Sequence, residues 1–159
     1  MRKAIVIGSL GLALVTNRAA AQTAVEQAQI LRDFQRSVAD YTERDECLLF
    51  PEATLAGAPA PRIFTLPVAM VFRQLIAQAL TAPDGAAIGA PATHRAVAMR
   101  TFPATELYDF PNRLDEVLPL LPAPLEYRLV DHDLVIRDAE ADLIVAVLRD
   151  AVGTITTRR

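Results

Sequence analysis

The sequence is poor in tryptophan, cysteine and histidine: its 159 residues include no tryptophan, one cysteine and two histidines. The single cysteine, Cys47, has no partner for an internal disulfide, so the fold must be stabilised by packing alone. Its thiol is either a small buried apolar group or an exposed group that can link two copies of the chain.

The patterns of common catalytic and cofactor sites are also missing. A serine hydrolase holds its serine beside a histidine on a rigid turn, whereas Ser37 falls inside a predicted helix without a G-x-S-x-G pattern. The zinc-site patterns H-E-x-x-H and paired C-x-x-C do not occur, and neither does the G-K-[ST] pattern of phosphate-binding loops. We therefore predict no catalytic, cofactor-binding or metal-binding residues and no bound cofactor.

The N-terminus has the pattern of a secretory signal. Arg2 and Lys3 give a positive start, residues 4–15 form an uncharged and mostly apolar run, and residues 19–21 are all alanine. A basic start, an apolar run and small residues at the peptidase positions predict a signal peptide over residues 1–21.

Cleavage between Ala21 and Gln22 would release the mature protein into the periplasm or the medium of a bacterial cell. The alternative is a membrane anchor, but a spanning helix needs about 20 apolar residues. Arg18 ends the apolar run too early for that, so we predict no stable membrane span after processing.

The predicted mature chain is acidic. Removing Arg2, Lys3 and Arg18 from the 16 basic residues leaves 13 against 19 acidic ones, a net charge of −6. An acidic domain without a basic run is a poor candidate for binding nucleic acid. The expected partner is therefore an unknown protein or small-molecule ligand.

Two segments have helical periodicity. An N-terminal helix is predicted over 23–46, within a segment 22–47, and a second helix over 65–80 that should be largely buried. Between them, the proline-rich stretch 48–64 is predicted to be a linker. The apolar face of the first helix comprises Leu31, Phe34, Val38 and Tyr41.

The last third of the chain alternates as strands do. Residues 125–130 and 134–137 predict a hairpin, and 142–148 predicts a third strand, with a buried helix as the alternative. A short strand over 96–102 could join this sheet. Residues 111–122 predict one or two helical turns between prolines, with Leu114, Val117 and Leu118 packing inward.

The densest cluster of possible ligands is Asp131, His132, Asp133 and Asp138. Neighbouring side chains in a strand–turn–strand point to opposite faces, so we interpret 131–133 as a tight turn. Arg128 and Arg137 are expected to pair with Glu126 or Asp138. Other candidates for chemistry or recognition are the carboxylate pairs Asp115/Glu116 and Glu140/Asp142, and an aromatic group comprising Tyr41, Phe102, Tyr108, Phe110 and Tyr127.

A family resemblance appears over residues 118–148, LPLLPAPLEYRLVDHDLVIRDAEADLIVAVL. This stretch resembles the C-terminal signature of a family of small exported bacterial proteins: a proline-flanked leucine segment, an L-E-Y-R strand, a polar turn, a D-L-x-x-R-D strand and an apolar L-I-V run. Residues 64–80 are similar to the middle segment of that family. The family is uncharacterised, so the resemblance implies shape and export and supplies no catalytic residues.

Together these patterns predict an α+β fold, with two helices packed on a small antiparallel sheet that ends in a C-terminal β-hairpin. After the signal peptide, helix 22–47 and linker 48–64, residues 65–159 form the remainder of one mature domain. The predicted function is non-enzymatic binding or assembly in the cell envelope. A carboxylate-dependent hydrolase and a subunit of a secreted complex are the alternatives; a binding protein should expose an apolar patch near the proline-rich loops.

Overall fold

The structure is a computed structural model that describes residues 12–47, 59–80, 94–103, 105, 107 and 110–152; within the first range, side chains are described for 23–43. The start of the predicted signal peptide, most of the linker, residues 81–93 and Tyr108 lie outside the described residues. So does the side chain of Cys47, and the two alternatives for its thiol stay open.

The described residues form an α+β fold, as predicted, with a third short helix. A three-stranded antiparallel sheet in the order β1-β2-β3 carries the helices on one face. The elements are α1 (Leu12–Cys47), α2 (Leu66–Leu80), α3 (Asn112–Val117), β1 (Leu125–Val130), β2 (Asp133–Asp138) and β3 (Leu143–Leu148).

Helix α1 runs 36 residues, beginning before the predicted cleavage site and ending at Cys47. Its predicted apolar face is confirmed in the described part: Phe34, Val38 and Tyr41 are buried, and Leu31 is half-buried against the same core. Among the described residues, no helix combines the length and hydropathy that crossing a bilayer requires.

Helix α2 is less buried than predicted. Val68, Phe72 and Ile76 pack into the core, since they recur at helical spacing. Leu66 and Met70 lie on another face of the helix and are 73% and 62% exposed. The helix therefore carries a second apolar surface, toward solvent.

The sheet is a meander in which β3 is a strand, so the alternative of a buried helix is wrong. The β1–β2 turn is shorter than the predicted three-residue link, because Asp133 is already paired with Val130. Asp131 has φ = 55°, a left-handed conformation that aspartate tolerates better than most residues. Where β2 pairs with β3, the register shifts between Ile136 and Arg137.

The main core lies between the sheet and the two long helices. The sheet face of Leu125, Tyr127 and Leu129 meets the α2 face of Val68 and Phe72. The rings of Phe72 and Tyr127 lie 6.3 Å apart between centroids, and further tilted and edge contacts link Phe72 to α1 and to the segment before α2.

The opposite sheet face is covered by Ala96 and Phe102, which are buried against it, and by Leu107, which is partly buried there. The predicted strand at 96–102 is wrong: it makes one antiparallel bridge, between Arg100 and Ile144. Met99 has φ = 58°, which interrupts the extended conformation that a longer ladder needs.

Between the prolines, α3 begins after Pro111 and ends at Val117. Leu114 and Leu118 are buried as predicted, whereas Val117 is exposed and its predicted inward packing is wrong.

Candidate functional site

The predicted turn at 131–133 does not gather its three polar side chains at one point. Asp131 and His132 are both about half exposed, with His132 Nε2 3.6 Å from an Asp131 carboxylate oxygen. Asp133 points elsewhere: its carboxylate accepts hydrogen bonds from the Arg149 guanidinium and from the backbone N–H of Asp150, the latter at 2.9 Å. Asp133 therefore anchors the chain that follows β3, a role that turn chemistry alone does not predict.

Asp138 is the one charged residue fully buried among the described residues. One carboxylate oxygen accepts the backbone N–H groups of Glu140 and Ala141, both at 2.9 Å. The other accepts the Tyr41 hydroxyl at 3.2 Å. All three contacts lie within the fold, so Asp138 closes the β2–β3 turn.

Across the described part of the chain, no three His, Cys, Asp or Glu side chains are placed to hold a metal ion.

A row of four charges crosses one end of the sheet. Glu126 accepts hydrogen bonds from Arg128 at 2.7 Å and from Arg137 at 2.8 Å, and Arg137 also donates to Asp142 at 2.6 Å. Both arginines thus pair with Glu126, one of the two expected partners, whereas the carboxylate of Asp138 binds Tyr41 and the β2–β3 turn.

These contacts shift the pKa values of the row. Burial opposes ionisation of Glu126, but the hydrogen bonds and charges of Arg128 and Arg137 outweigh it and hold its pKa below the usual range. The hydrogen bond to Asp142 raises the pKa of the Arg137 guanidinium; burial partly opposes that shift and Glu126 adds to it. Glu126 is therefore ionised at neutral pH.

The first surface depression, the β1 cleft, lies along strand β1. Its volume is about 290 Å³, and it contains the two carboxylates Asp115 and Glu126. Burial, with the negative charge of Asp115, raises the pKa of the Tyr127 hydroxyl, which donates to the carbonyl oxygen of Pro119 at 2.9 Å. The full lining is Phe110, Asn112, Asp115, Leu120, Leu121, Leu125, Glu126, Tyr127 and Arg128.

The aromatic group predicted for recognition is mostly used in packing. Phe102 is buried against the outer sheet face. Phe110 stacks on Tyr127, with ring centroids 5.5 Å apart and an interplanar angle of 27°. Of this group, Phe110 and Tyr127 line the β1 cleft.

The second depression, the helix groove, lies between α1 and the start of α2 and has a volume of about 410 Å³. Its lining includes the exposed apolar side chains of Leu66 and Met70. Val25 on α1 is 67% exposed and lies outside this lining. The core pattern of α2 did not predict the exposed face that carries Leu66 and Met70. The lining is Thr23, Glu26, Gln27, Ile30, Leu66, Pro67, Met70, Val71 and Gln74.

The spacing of Leu66 and Met70, four residues apart and off the core face, is the sequence signal that could have revealed this groove.

A third depression of about 480 Å³ includes Arg62, Thr65 and Arg149. Arg149 already donates to Asp133 and to the carbonyl oxygen of Ala96, so its guanidinium is committed within the fold.

The remaining carboxylate pairs show no shared acid–base site. Asp115 and Glu116 are exposed on α3, and of the second pair Glu140 is exposed while Asp142 binds Arg137. Ser37 donates to the backbone carbonyl of Asp33 at 3.1 Å, a local helix contact.

Comparison with protein-family models, curated proteins and solved structures finds no match. What the geometry defines is a class: a small α+β domain with an apolar groove on its helical side and a charged sheet edge. The family resemblance of 118–148 stays a prediction.

Proposed function

We propose that this chain is an exported, non-enzymatic binding protein of the bacterial cell envelope, and that its helix groove holds the apolar face of a partner's amphipathic helix. The observation that carries the proposal is the pair Leu66 and Met70, which are mostly exposed and line an apolar groove. Export rests on the N-terminal pattern of residues 1–21.

The position of the groove agrees with this function. Leu66 begins α2 directly after the proline-rich linker, where a binding protein was expected to expose its apolar patch. A volume of about 410 Å³ is within the usual range for ligand sites, which begins at about 300 Å³.

The chemistry of the lining favours a helix as occupant. Two helices already border the groove, and a third can lay side chains at positions i, i+3, i+4 and i+7 into it. Methionine adapts its shape to varied apolar partners. Glu26 at the rim favours a partner whose helix has a basic residue beside its apolar face.

A carboxylate-dependent hydrolase is the second candidate, because Asp115 and Glu126 line the same β1 cleft. Acid–base catalysis by two carboxyls requires one of them to hold a proton, usually through a raised pKa. Two arginines lower the pKa of Glu126, so it is unsuited to be the acid. In such a site Glu126 could serve only as the base or nucleophile, and the exposed pair Leu66 and Met70 supports binding more directly than this cleft supports hydrolysis.

The test uses the processed protein and a designed peptide with leucines at i, i+3, i+4 and i+7 and lysines on the other face. We expect Met70→Glu to weaken the peptide's affinity at least about tenfold, measured by fluorescence anisotropy. The control is Val97→Glu, which also places a charge on an exposed apolar position but lies outside the groove lining. Its affinity should equal that of the wild type.

The direction in which Met70→Glu changes the peptide's affinity distinguishes binding in the groove from general electrostatic attraction between a basic peptide and an acidic protein. Added negative charge at position 70 would strengthen such attraction. Equal or tighter binding by Met70→Glu, or no binding by the wild type, would contradict the proposal. Export is checked separately: the processed protein from the envelope should begin at Gln22 by mass spectrometry.

A further inference from the structure

Strand β1 turns half of its backbone hydrogen-bonding groups away from β2. The N–H of Ala139 donates to the carbonyl of Pro124 at 3.1 Å, which marks 124 and 139 as a hydrogen-bonded pair of the antiparallel register. Such pairs alternate along a ladder. The even-numbered residues of β1 therefore bond to β2, and the backbone groups of Leu125, Tyr127 and Leu129 face outward.

That outer side is a sheet edge. In the described part of the chain, the strand order begins at β1, and the outward groups have one backbone partner, the carbonyl of Pro122, which accepts the N–H of Leu125 at 2.9 Å. The β1 cleft runs beside residues 125–128 and leaves space there. An edge of this kind is a template for another strand.

The charges across the sheet indicate what that strand carries. Asp142, Arg137 and Glu126 alternate in sign from β3 toward the edge, at 2.6 and 2.8 Å. The next position outward, beside Glu126, is therefore suited to a positive charge. Directly opposed unlike charges stabilise neighbouring strands, and like charges destabilise them.

We propose that β1 pairs antiparallel with β1 of a second copy, centred on Tyr127, so that two three-stranded sheets join into one. In this register Glu126 of each copy faces Arg128 of the other, and both ion pairs form at once. Leu125 faces Leu129 of the second copy, with their side chains on the sheet face already packed against the helices. The contact is isologous, because the same strand serves on both sides.

The register also predicts which residues can be cross-linked. Glu126 and the second copy's Arg128 form a pair without direct hydrogen bonds, whose Cα atoms lie about 4.5 Å apart. A disulfide accepts that separation. Two copies of position 126 are not directly opposed in this register.

The decisive experiment mixes two single variants, Glu126→Cys and Arg128→Cys, each in a Cys47→Ser background, under mild oxidation. We expect the mixture to form disulfide-linked dimers at least about fivefold faster than either variant alone. Cross-linking by Glu126→Cys alone at the rate of the mixture would overturn the register. Absence of cross-linking in all three samples would overturn the pairing.

Hydrogen exchange provides a second readout without any substitution. The amides of Tyr127 and Leu129 should exchange fast at about 10 µM and slow down at about 1 mM, because mass action favours the dimer at the higher concentration. The amides of Arg128 and Val130, which bond to β2, should be protected at both concentrations. Exchange at 127 and 129 that does not depend on concentration would overturn the proposal, whether slow or fast.

The inference is independent of the proposed function. The strand edge and the helix groove share no lining residue, so loss of peptide binding in the groove leaves the dimer prediction unaffected.

Discussion

The hydroxyl of Tyr41 donates a hydrogen bond of 3.2 Å to the buried carboxylate of Asp138, 97 residues further along the chain. Because the same carboxylate accepts two backbone N–H groups of the β2–β3 turn, this contact links helix α1 to the sheet through a polar group inside the core. A buried carboxylate is tolerated only where its oxygens are satisfied. The position of α1 and the shape of the turn are therefore coupled.

Removing the Asp138 carboxylate should destabilise the fold strongly. Asp138→Ala leaves the N–H groups of Glu140 and Ala141 and the Tyr41 hydroxyl without this acceptor, so we expect a loss of about 1–3 kcal/mol in the free energy of unfolding. Asp138→Asn keeps one acceptor oxygen and should lose less. Urea titration followed by circular dichroism measures both. Glu140→Ala, an exposed neighbour, is the control and should stay within about 0.5 kcal/mol of the wild type.

The side chain of Asp133 should matter for stability, whereas that of its exposed neighbour His132 should not. Its carboxylate binds Arg149 and the N–H of Asp150, and the carbonyl of Arg149 in turn accepts from Arg73 at 2.8 Å. We expect Asp133→Ala to lower the free energy of unfolding by about 1–3 kcal/mol. His132→Ala, at an exposed position, is the control; equal effects of the two substitutions would contradict the anchoring role.

Removing the side chain of Asp131, unlike that of Asp133, should not destabilise the fold. Its φ of 55° is accessible to glycine without steric strain, whereas a β-branched residue is strongly disfavoured there. We expect Asp131→Gly to be neutral or slightly stabilising and Asp131→Val to lose about 1–2 kcal/mol. Thermal unfolding of the two variants side by side measures the difference. A more stable valine variant would show that the turn adopts another backbone conformation in solution.

The sequence predicted the sheet because residues 125–130 alternate in hydropathy, 142–148 is rich in β-branched residues and residues 131–133 suit a tight turn. The same reasoning wrongly predicted a strand at 96–102. Met99 adopts a left-handed conformation there, which a methionine in the sequence does not predict. It also missed the exposed apolar face of α2. The periodicity of Val68, Phe72 and Ile76 was interpreted as one buried face, and the spacing of Leu66 and Met70 was not considered.

Polar contacts in the candidate sites could be predicted where the partners are close in sequence, and not where they are far apart. Asp133 and Asp138 lie within a predicted hairpin, and their local turn role is readable from sequence. Their partners Arg149 and Tyr41 lie 16 and 97 residues away, and no periodicity connects them. The pairing of Arg128 and Arg137 with Glu126 was predictable because strand register places those residues on one face.

Glu126 should give the fold part of its acid sensitivity. Arg128 and Arg137 hold its pKa in the folded state below the ordinary value of 4.5. A carboxyl with a lowered folded pKa stabilises the fold above the unfolded pKa, and this contribution is lost as pH falls through the folded pKa. The wild type should therefore lose stability as the pH falls below about 4.5.

Glu126→Gln removes the titrating group, so its free energy of unfolding should be lower than that of the wild type at pH 7 and should change less below pH 4.5. Urea titrations from pH 7 to pH 3 give both curves. Glu140→Gln is the matched control, since Glu140 is exposed and lies outside the charge row. Its curve should parallel that of the wild type. If the curves of Glu126→Gln and the wild type stay parallel down to pH 3, the two arginines do not stabilise the ionised carboxylate in solution.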